Sequence, residues 1–278
     1  GRKNAWRVVD EYGSEDALID EIFIEITDRN LSFEPIRRYG HQEPSNGKRR
    51  LIGVESVKQQ VVDYAAIAAL FPLIKMKLGF YQVSSVPGKG QCFAAKTVKK
   101  WSKNNKYWVH LDIKKCYPSL SHKRVYSILE KYVKNSTVLY ICRALFDTYK
   151  DGLEIGSFFS LVMAQLMLSF CYHYIEGFHK IRRGKNKKLV NHQMWYLDDI
   201  WLFSNDKRDL RISIKRIEDF LYNELGLHIK SWKICRVGSQ EPINIVGYVV
   251  RPHSITIKDG IFIRAKRAFR RYLKNRTP

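Results

Sequence analysis

Residues 155–175 run IGSFFSLVMAQLMLSFCYHYI, 21 positions without an Asp, Glu, Lys or Arg. A segment like this either crosses a bilayer, which takes about 20 apolar residues, or forms a helix enclosed on all sides by protein. Ser157, Ser160, Gln165, Ser169 and His173 recur through it, and no charge-asymmetric loops flank it. These features select the enclosed helix. Such a helix needs a thick core, and 278 residues at 45% hydrophobic and 13% aromatic can supply one. Disordered and fibrous classes are excluded, and the length suits one large domain or two closely packed ones.

Lys and Arg number 49 against 27 Asp and Glu, a formal charge of +22. That surplus exceeds what solubility requires and points to a polyanion, nucleic acid first, with a merely basic surface as the plainer alternative. Residues 9–28 run against the trend, with eight acids and no base. The five cysteines are never closer than 24 residues, so neither a CxxC pair nor a dense disulfide framework exists. A reduced, cytoplasmic setting is expected. The opening GRKNAW is polar and lacks a methionine; no signal peptide is expected, and the terminus reads as trimmed.

Leu18, Ile19, Ile22, Ile24 and Ile26 give the acidic stretch an apolar helical face. A turn-rich segment, residues 40–47, leads into the strand-like KRRLIGV. Residues 59–71 have helical spacing that should stop near Pro72. A loop at 86–91 precedes a basic helix bearing Lys96, Lys99, Lys100 and Lys103. Residues 107–113 read as a strand, 121–133 and 136–149 as helices, and 179–188 as a cationic loop. Residues 193–203 predict a hairpin, 207–225 an amphipathic helix closed by Gly226, and 243–250 and 254–263 short strands. A basic tail follows from Arg264. Strands and helices mix without regular βαβ alternation, which predicts the α+β class.

The chemistry gathers at Tyr196-Leu197-Asp198-Asp199, where two apolar strand segments flank adjacent acids. Two carboxylates held together repel, and partial burial raises the cost unless a cation neutralises them. Hard divalent ions such as Mg²⁺ take oxygen ligands of this kind; an ordinary polar turn is the alternative. Asp112 ends a second apolar strand. Were the two strands neighbours, Asp112 and Asp198 could share a pair of ions ~3.5–4 Å apart, the arrangement that assists in-line phosphoryl displacement.

LDIKKCYPSL followed by a YLDD hairpin resembles the palm of a reverse transcriptase, and the supporting motifs stand in that family's order. GKRRLI (47–52) resembles the fingers segment GKxRxI, and GLEIGSFFSLVMAQLML (152–168) the template-positioning turn and helix. Leu225-Gly226-Leu227 with Lys233 resembles the next palm element, and Asn244-Ile245-Val246-Gly247-Tyr248 the primer-gripping hairpin. The match covers about residues 47–250. It implies a right-hand polymerase: an N-terminal helix and helical fingers over 1–105, an antiparallel ferredoxin-like palm over 106–253 with a helical insertion at about 120–150, and a short or truncated basic thumb over 254–278.

The resemblance also implies roles. Asp112 and Asp198 would ligate two Mg²⁺ ions, with Mn²⁺ as a substitute, helped by the Ile113 carbonyl and by Asp199 as a secondary acid. Tyr117 matches the aromatic gate against a ribose 2′-hydroxyl. Lys48 and Arg50 match the cations that clamp the incoming triphosphate, and Ile155 and Gly156 belong to the same nucleotide site. Lys233 is the candidate proton donor to pyrophosphate, with Lys230 as its competitor, and Gly247 and Tyr248 would grip the primer. Lys180, Arg182, Arg183, Lys185, Lys187, Lys188, Lys266, Arg267, Arg270 and Arg271 are candidates for the nucleic-acid surface.

Where many relatives carry Pro-Gln-Gly, this chain has Glu154-Ile155-Gly156. Ile-Gly resembles the bacterial enzymes of diversity-generating retroelements, which implies error-prone copying, although Ser160-Leu161 departs from their Ser-Gln. The loop with Gly88-Lys89-Gly90-Gln91 resembles these enzymes and uncharacterised or phage-defence bacterial reverse transcriptases. The expected activity is RNA-directed DNA synthesis from a DNA or RNA primer with deoxynucleotides, involving an accessory protein or structured RNA and no membrane. The rivals are untemplated or protein-primed synthesis in phage defence, an RNA-dependent RNA polymerase, and a catalytically idle nucleic-acid-binding scaffold.

Overall fold

In the computed structural model, which describes residues 11–42, 47 and 49–274, Ser14 caps helix α1 (Glu15–Thr27) by accepting from the Ala17 amide at 3.1 Å. Strands β1 (Arg37–Gln42) and β2 (Arg49–Val54) pair antiparallel ahead of helix α2 (Val57–Lys77). Helix α3 (Gln91–Ser102) and strand β3 (Tyr107–Lys114) come next. A single turn, α4 (Cys116–Ser119), precedes α5 (His122–Tyr132), α6 (Ser136–Asp147) and the apolar α7 (Phe158–Glu176). Two hairpins, β4 (His179–Arg182) with β5 (Lys185–Lys188) and β6 (His192–Tyr196) with β7 (Asp199–Ser204), lead to α8 (Lys207–Phe220). A π-helical turn (Leu221–Leu225) and short strands β8 (His228–Ile229) and β9 (Ile234–Arg236) follow. Strands β10 (Ile243–Ile245), β11 (Tyr248–Val250) and β12 (Ile255–Ile257) and helix α9 (Asp259–Lys274) close the described chain.

The chain forms two units, each drawn from separate stretches. The first takes the described residues up to Leu78, with Lys115–Phe170 and Leu221–Leu227. Its core lies between α2, which buries Val62, Ala66, Leu70 and Leu73 at helical spacing, and α6, which buries Ile141, Cys142, Leu145 and Phe146. Lys58 of α2 ties α1 down through Glu21 at 2.8 Å and Glu25 at 2.5 Å. The predicted stop at Pro72 does not occur, because the proline sits inside α2. It removes an amide donor, but the Ala68 carbonyl that would have accepted is on the exposed side. Strand β1 was not predicted: all six of its residues are exposed, so it shows no alternation.

The second unit takes Gly79–Lys114, Cys171–Phe220 and the described residues from His228. Its antiparallel sheet runs β6-β7-β3-β8, with β9 also on β3. Strand residues alternate between faces. Trp108, Trp201 and Phe203 enter a cluster with Val98 and Trp101 of α3 and with Ile243, Ile245 and Val250. Val109, Leu111, Ile200 and Leu202 are buried too, and α8 packs on β7 with Leu210, Ile214 and Ile217 buried. The predicted cationic loop is the β4–β5 hairpin, turning at Arg183-Gly184 with φ of +50° and +71°. The predicted strand at 254–263 survives only as β12; the rest starts α9, which buries no residue.

The α+β expectation holds. Helices α2 and α7 are each long and apolar enough to cross a membrane by length and composition, and most of α7 is buried inside the protein.

Candidate active site

Strand β3 pairs with β7 so that Asp112 stands opposite Asp199 and His110 opposite Trp201. Residues two apart share a face, so these four side chains project from one side of the sheet. A two-residue loop, Leu197-Asp198, closes the β6–β7 hairpin at the Tyr196–Asp199 pair. Tight hairpin loops favour turns with a left-handed first residue, and Leu197 takes φ +54°. For a leucine this conformation costs about 1–2 kcal/mol, strain stored beside Asp198. The Ile113 amide donates to the Asp198 carbonyl at 3.2 Å, which anchors the loop to the end of β3.

The carboxylates have cationic and polar neighbours. Lys230 Nζ lies 2.6 Å from Asp112 Oδ2, and its amide donates to the Asp112 carbonyl at 2.9 Å. His110 Nε2 is 2.7 Å from Asp199 Oδ1, and its ring stacks on Trp201 at 4.8 Å. The Trp201 indole donates to the Asn244 carbonyl at 3.1 Å. The donor set fits a divalent cation: Asp112 Oδ1 is buried without a hydrogen-bond partner among the described residues, and Asp198 and Asp199 supply further oxygens. Lys230 already stands on Asp112 as a positive charge. Among the described residues no three His, Cys, Asp or Glu side chains converge. Were a cation bound at this end of the sheet, the free Asp112 oxygen and the carboxylates of Asp198 and Asp199 are the groups that would hold it.

Lys233, expected as proton donor, is ion-paired with Glu241, which holds its ammonium above the ordinary value. Gly247 (φ +88°) and Tyr248 lie on the β10–β11 hairpin, and the Gly247 carbonyl accepts from Lys258 at 3.0 Å. On the β4–β5 hairpin, Lys180 pairs with Asp209, whereas Arg182, Arg183, Lys185 and Lys188 are exposed and Lys187 is half-buried. Lys266, Arg267, Arg270 and Arg271 are exposed on α9.

The remaining candidates belong to the first unit, and backbone contacts join them there. The Tyr117 carbonyl accepts from Leu153 at 2.9 Å, and Gly53 of β2 donates to the Ile155 carbonyl at 2.7 Å. Arg50 is half-buried three residues before Gly53 on β2. Gly156 has φ +118°, and a Cβ there would meet the Gly53 carbonyl oxygen inside the 3.0 Å limit that real Cβ atoms respect. Arg38 holds Glu154 at both carboxylate oxygens, Nη2 donating to Oε2 at 2.7 Å and Nε to Oε1 at 3.3 Å. The turn at residues 152–157 is thereby fastened to Tyr117 on one side and to β2 on the other. Lys48 lies outside the described residues.

Residues 41–250 match the family model described as reverse transcriptase (RNA-dependent DNA polymerase). The chain belongs to the reverse transcriptase family. Its fold is similar to apo telomerase from Candida tropicalis, with a TM-score of 0.58 and 11% identity over 89% of this chain and 52% of that one. A second structure, of the Candida tropicalis enzyme truncated from its C-terminal domain, gives 0.54 and 13% over 87% and 59%. Telomerase from Candida albicans in complex with a TWJ fragment of telomeric RNA gives 0.55 and 12% over 87% and 49%. The chain thus spans about half to three-fifths of the telomerase chains it matches. No curated protein matches this sequence.

The β3–β7 pairing brings the Asp112 and YLDD motifs to one end of one sheet. His110 and Trp201 were missed by motif reading. Their signal was the period of two, since each lies two residues from an acid on its own strand.

Proposed function

We propose that this reverse transcriptase extends a DNA or RNA primer with deoxynucleotides on an RNA template. The supporting observation is the pairing of Asp112 with Asp199 across β3 and β7, with Asp198 in the adjoining loop and a buried Asp112 oxygen left without a partner. When bound there, Mg²⁺, or Mn²⁺ in its place, supplies Lewis acidity to the attacking and leaving oxygens. The protein's part is to fix the oxygens. Leu197 presents Asp198, the Lys230 amide just after β8 holds the Asp112 backbone, and the His110 ring, stacked on Trp201, orients Asp199. Tyr117 excludes ribonucleotides and Arg50 pairs with the triphosphate. Lys230, already on Asp112, is better placed than Lys233 to meet charge developing at the reacting phosphate.

The finer reading is a bacterial enzyme of the retroelement or antiviral-defence kind, cytoplasmic, and error-prone because Ile155 offers no hydrogen-bonding atom. A structured RNA or accessory protein assists it, and the β4–β5 hairpin and α9 contact phosphates. The test offers purified protein a primed RNA, Mg²⁺ and each nucleotide pool in turn, and sequences the products. Wild type should write complementary DNA and Asp198→Asn should not, with primed-template affinity retained; comparable electrostatic losses cost roughly 2.7–4 kcal/mol in the transition state. Equal use of ribonucleotides would favour an RNA polymerase, template-independent products the untemplated rival, and no extension the idle scaffold.

A further inference from the structure

We infer that Glu55 and Asp63 are positioning residues: they share one proton, and in that state they clamp the turn that carries Ile155 and Gly156. Asp63 is fully buried on α2, and Glu55 is buried just before that helix begins. Asp63 Oδ2 accepts from the Ser157 hydroxyl at 3.1 Å and from the Phe159 amide at 3.0 Å, binding both the turn and the start of α7. The Tyr149 hydroxyl bridges Ser157 Oγ at 2.9 Å and Glu55 Oε1 at 3.4 Å, and Gln59 donates to the same Glu55 oxygen at 3.3 Å. Side chains from α2, the segment before it, the segment after α6 and the turn thus form one buried network.

The network lacks a donor at one point. Among the described residues, Asp63 Oδ1 is buried with no N–H or O–H directed at it, and Glu55, joined to Asp63 through the Tyr149–Ser157 bridge, lines the same cavity wall. Two carboxylates can bond to each other only through a proton, and two buried negative charges in contact would repel. One proton on the pair resolves both. Lys58 on the same helix as Asp63 is engaged with Glu21 and Glu25, and Arg38 with Glu154. Burial, then the Asp63 charge, pushes the Glu55 carboxyl up to about 8, and burial raises Asp63 as well. Burial holds the Tyr149 phenol well above its ordinary value, so it remains a neutral donor.

A raised carboxyl stabilises the fold at low pH and withdraws that support as pH climbs through the folded value. For this pair the window closes near pH 8. The proton then leaves to water, and a cavity of about 300 Å³ beside the pair, lined by Tyr39, Ile52, Gly53, Tyr64, Gly156 and Phe158, gives it a path. With both charges present, Glu55 and Asp63 move apart and Ser157 loses its anchor. The clamp depends on the polymerase reading only for what the turn touches.

The experiment follows amide hydrogen exchange of residues 152–159 between about pH 6 and 10, spanning the Glu55 value of about 8, after correction for intrinsic exchange. In wild type, protection should fall by up to about tenfold per pH unit, the limit for one proton, as pH rises toward that value, and level off above it. Glu55→Gln keeps a neutral donor opposite Asp63 and should stay protected throughout, and Asp63→Asn should do the same. Deoxynucleotide KM should rise with pH in wild type and stay level in Glu55→Gln. Level exchange in wild type, or the same fall in Glu55→Gln, would overturn the clamp; wild type alone decides if the variants do not fold. A transition in exchange without any primer extension would keep the clamp and retire the polymerase reading, and extension with level exchange would do the reverse.

Discussion

Replacing Gly156 by alanine should separate the two demands made on the turn that carries Ile155 and Gly156. The residue holds φ +118°, where a side chain is strained whatever the space; for a non-glycine residue that costs roughly 1–3 kcal/mol. The new Cβ would also sit on the Gly53 carbonyl oxygen, which is backbone and cannot swing aside. Relief requires the turn to lift from β2, losing the 2.7 Å bond from Gly53 to the Ile155 carbonyl, worth about 1 kcal/mol. The total is about 2–4 kcal/mol. Gly13→Ala is the control in the same unit, because Gly13 has φ +79° with nothing within 4 Å of a Cβ and bears the conformational cost alone. Urea unfolding should show Gly156→Ala the less stable of the two by at least about 1 kcal/mol, with unchanged m-values. Displacing a positioning element by about 1 Å can cost on the order of 100-fold in rate. At a temperature where both variants are folded, kcat/KM for a deoxynucleotide should therefore drop much further in Gly156→Ala. Equal midpoints for the two variants would refute the rigid close approach, and equal kcat/KM would refute the turn's contact with substrate.

Three further outcomes are expected. Tyr117→Val should admit ribonucleotides that wild type rejects, read as the ratio of ribo- to deoxynucleotide kcat/KM; an unchanged ratio removes Tyr117 as the gate. Ile155→Gln should lower misincorporation, because apolar packing discriminates by only about 1–3 kcal/mol whereas unmet hydrogen bonds reject more strongly; identical error spectra on a defined RNA would end that argument. Binding to duplex should weaken steeply with salt, and neutralising Lys185 and Lys188 together should reduce the log–log slope by about 0.9 for each phosphate these lysines neutralise, so an unaltered slope would place the footprint elsewhere.

Elements defined by local pattern were readable in advance. The β6–β7 hairpin, β3 and helices α3, α5 and α6 carry their own alternation, spacing or flanking polar residues. Others depend on partners that one stretch of sequence does not display. Strand β1 exists because β2 supplies its hydrogen bonds, not because RRYGHQ alternates. The Ile261-Phe262-Ile263 run reads as a strand, yet it forms α9, whose apolar residues remain exposed. The acids at Asp112 and Asp198 were visible as motifs, whereas His110 was not, because its partner Asp199 lies across the sheet on β7. Glu55 and Asp63, eight positions apart in an unremarkable helical context, become a pair only once β2, α2 and α6 enclose them.

The order in which the first unit receives its parts bears on how the chain is made. Leu221, Leu225 and Leu227 are buried in that unit, and Gly226 and Asn223 there lie against Arg124 of α5. During synthesis, α5 and its neighbours emerge long before the segment that covers them. Until it arrives, an apolar seam stays open to water and to other nascent chains. The first unit is N-terminal by most of its mass, yet it finishes late. Fragments ending before Leu221 should therefore aggregate even though they retain α1 through α6, and the seam is a natural site for a chaperone to hold.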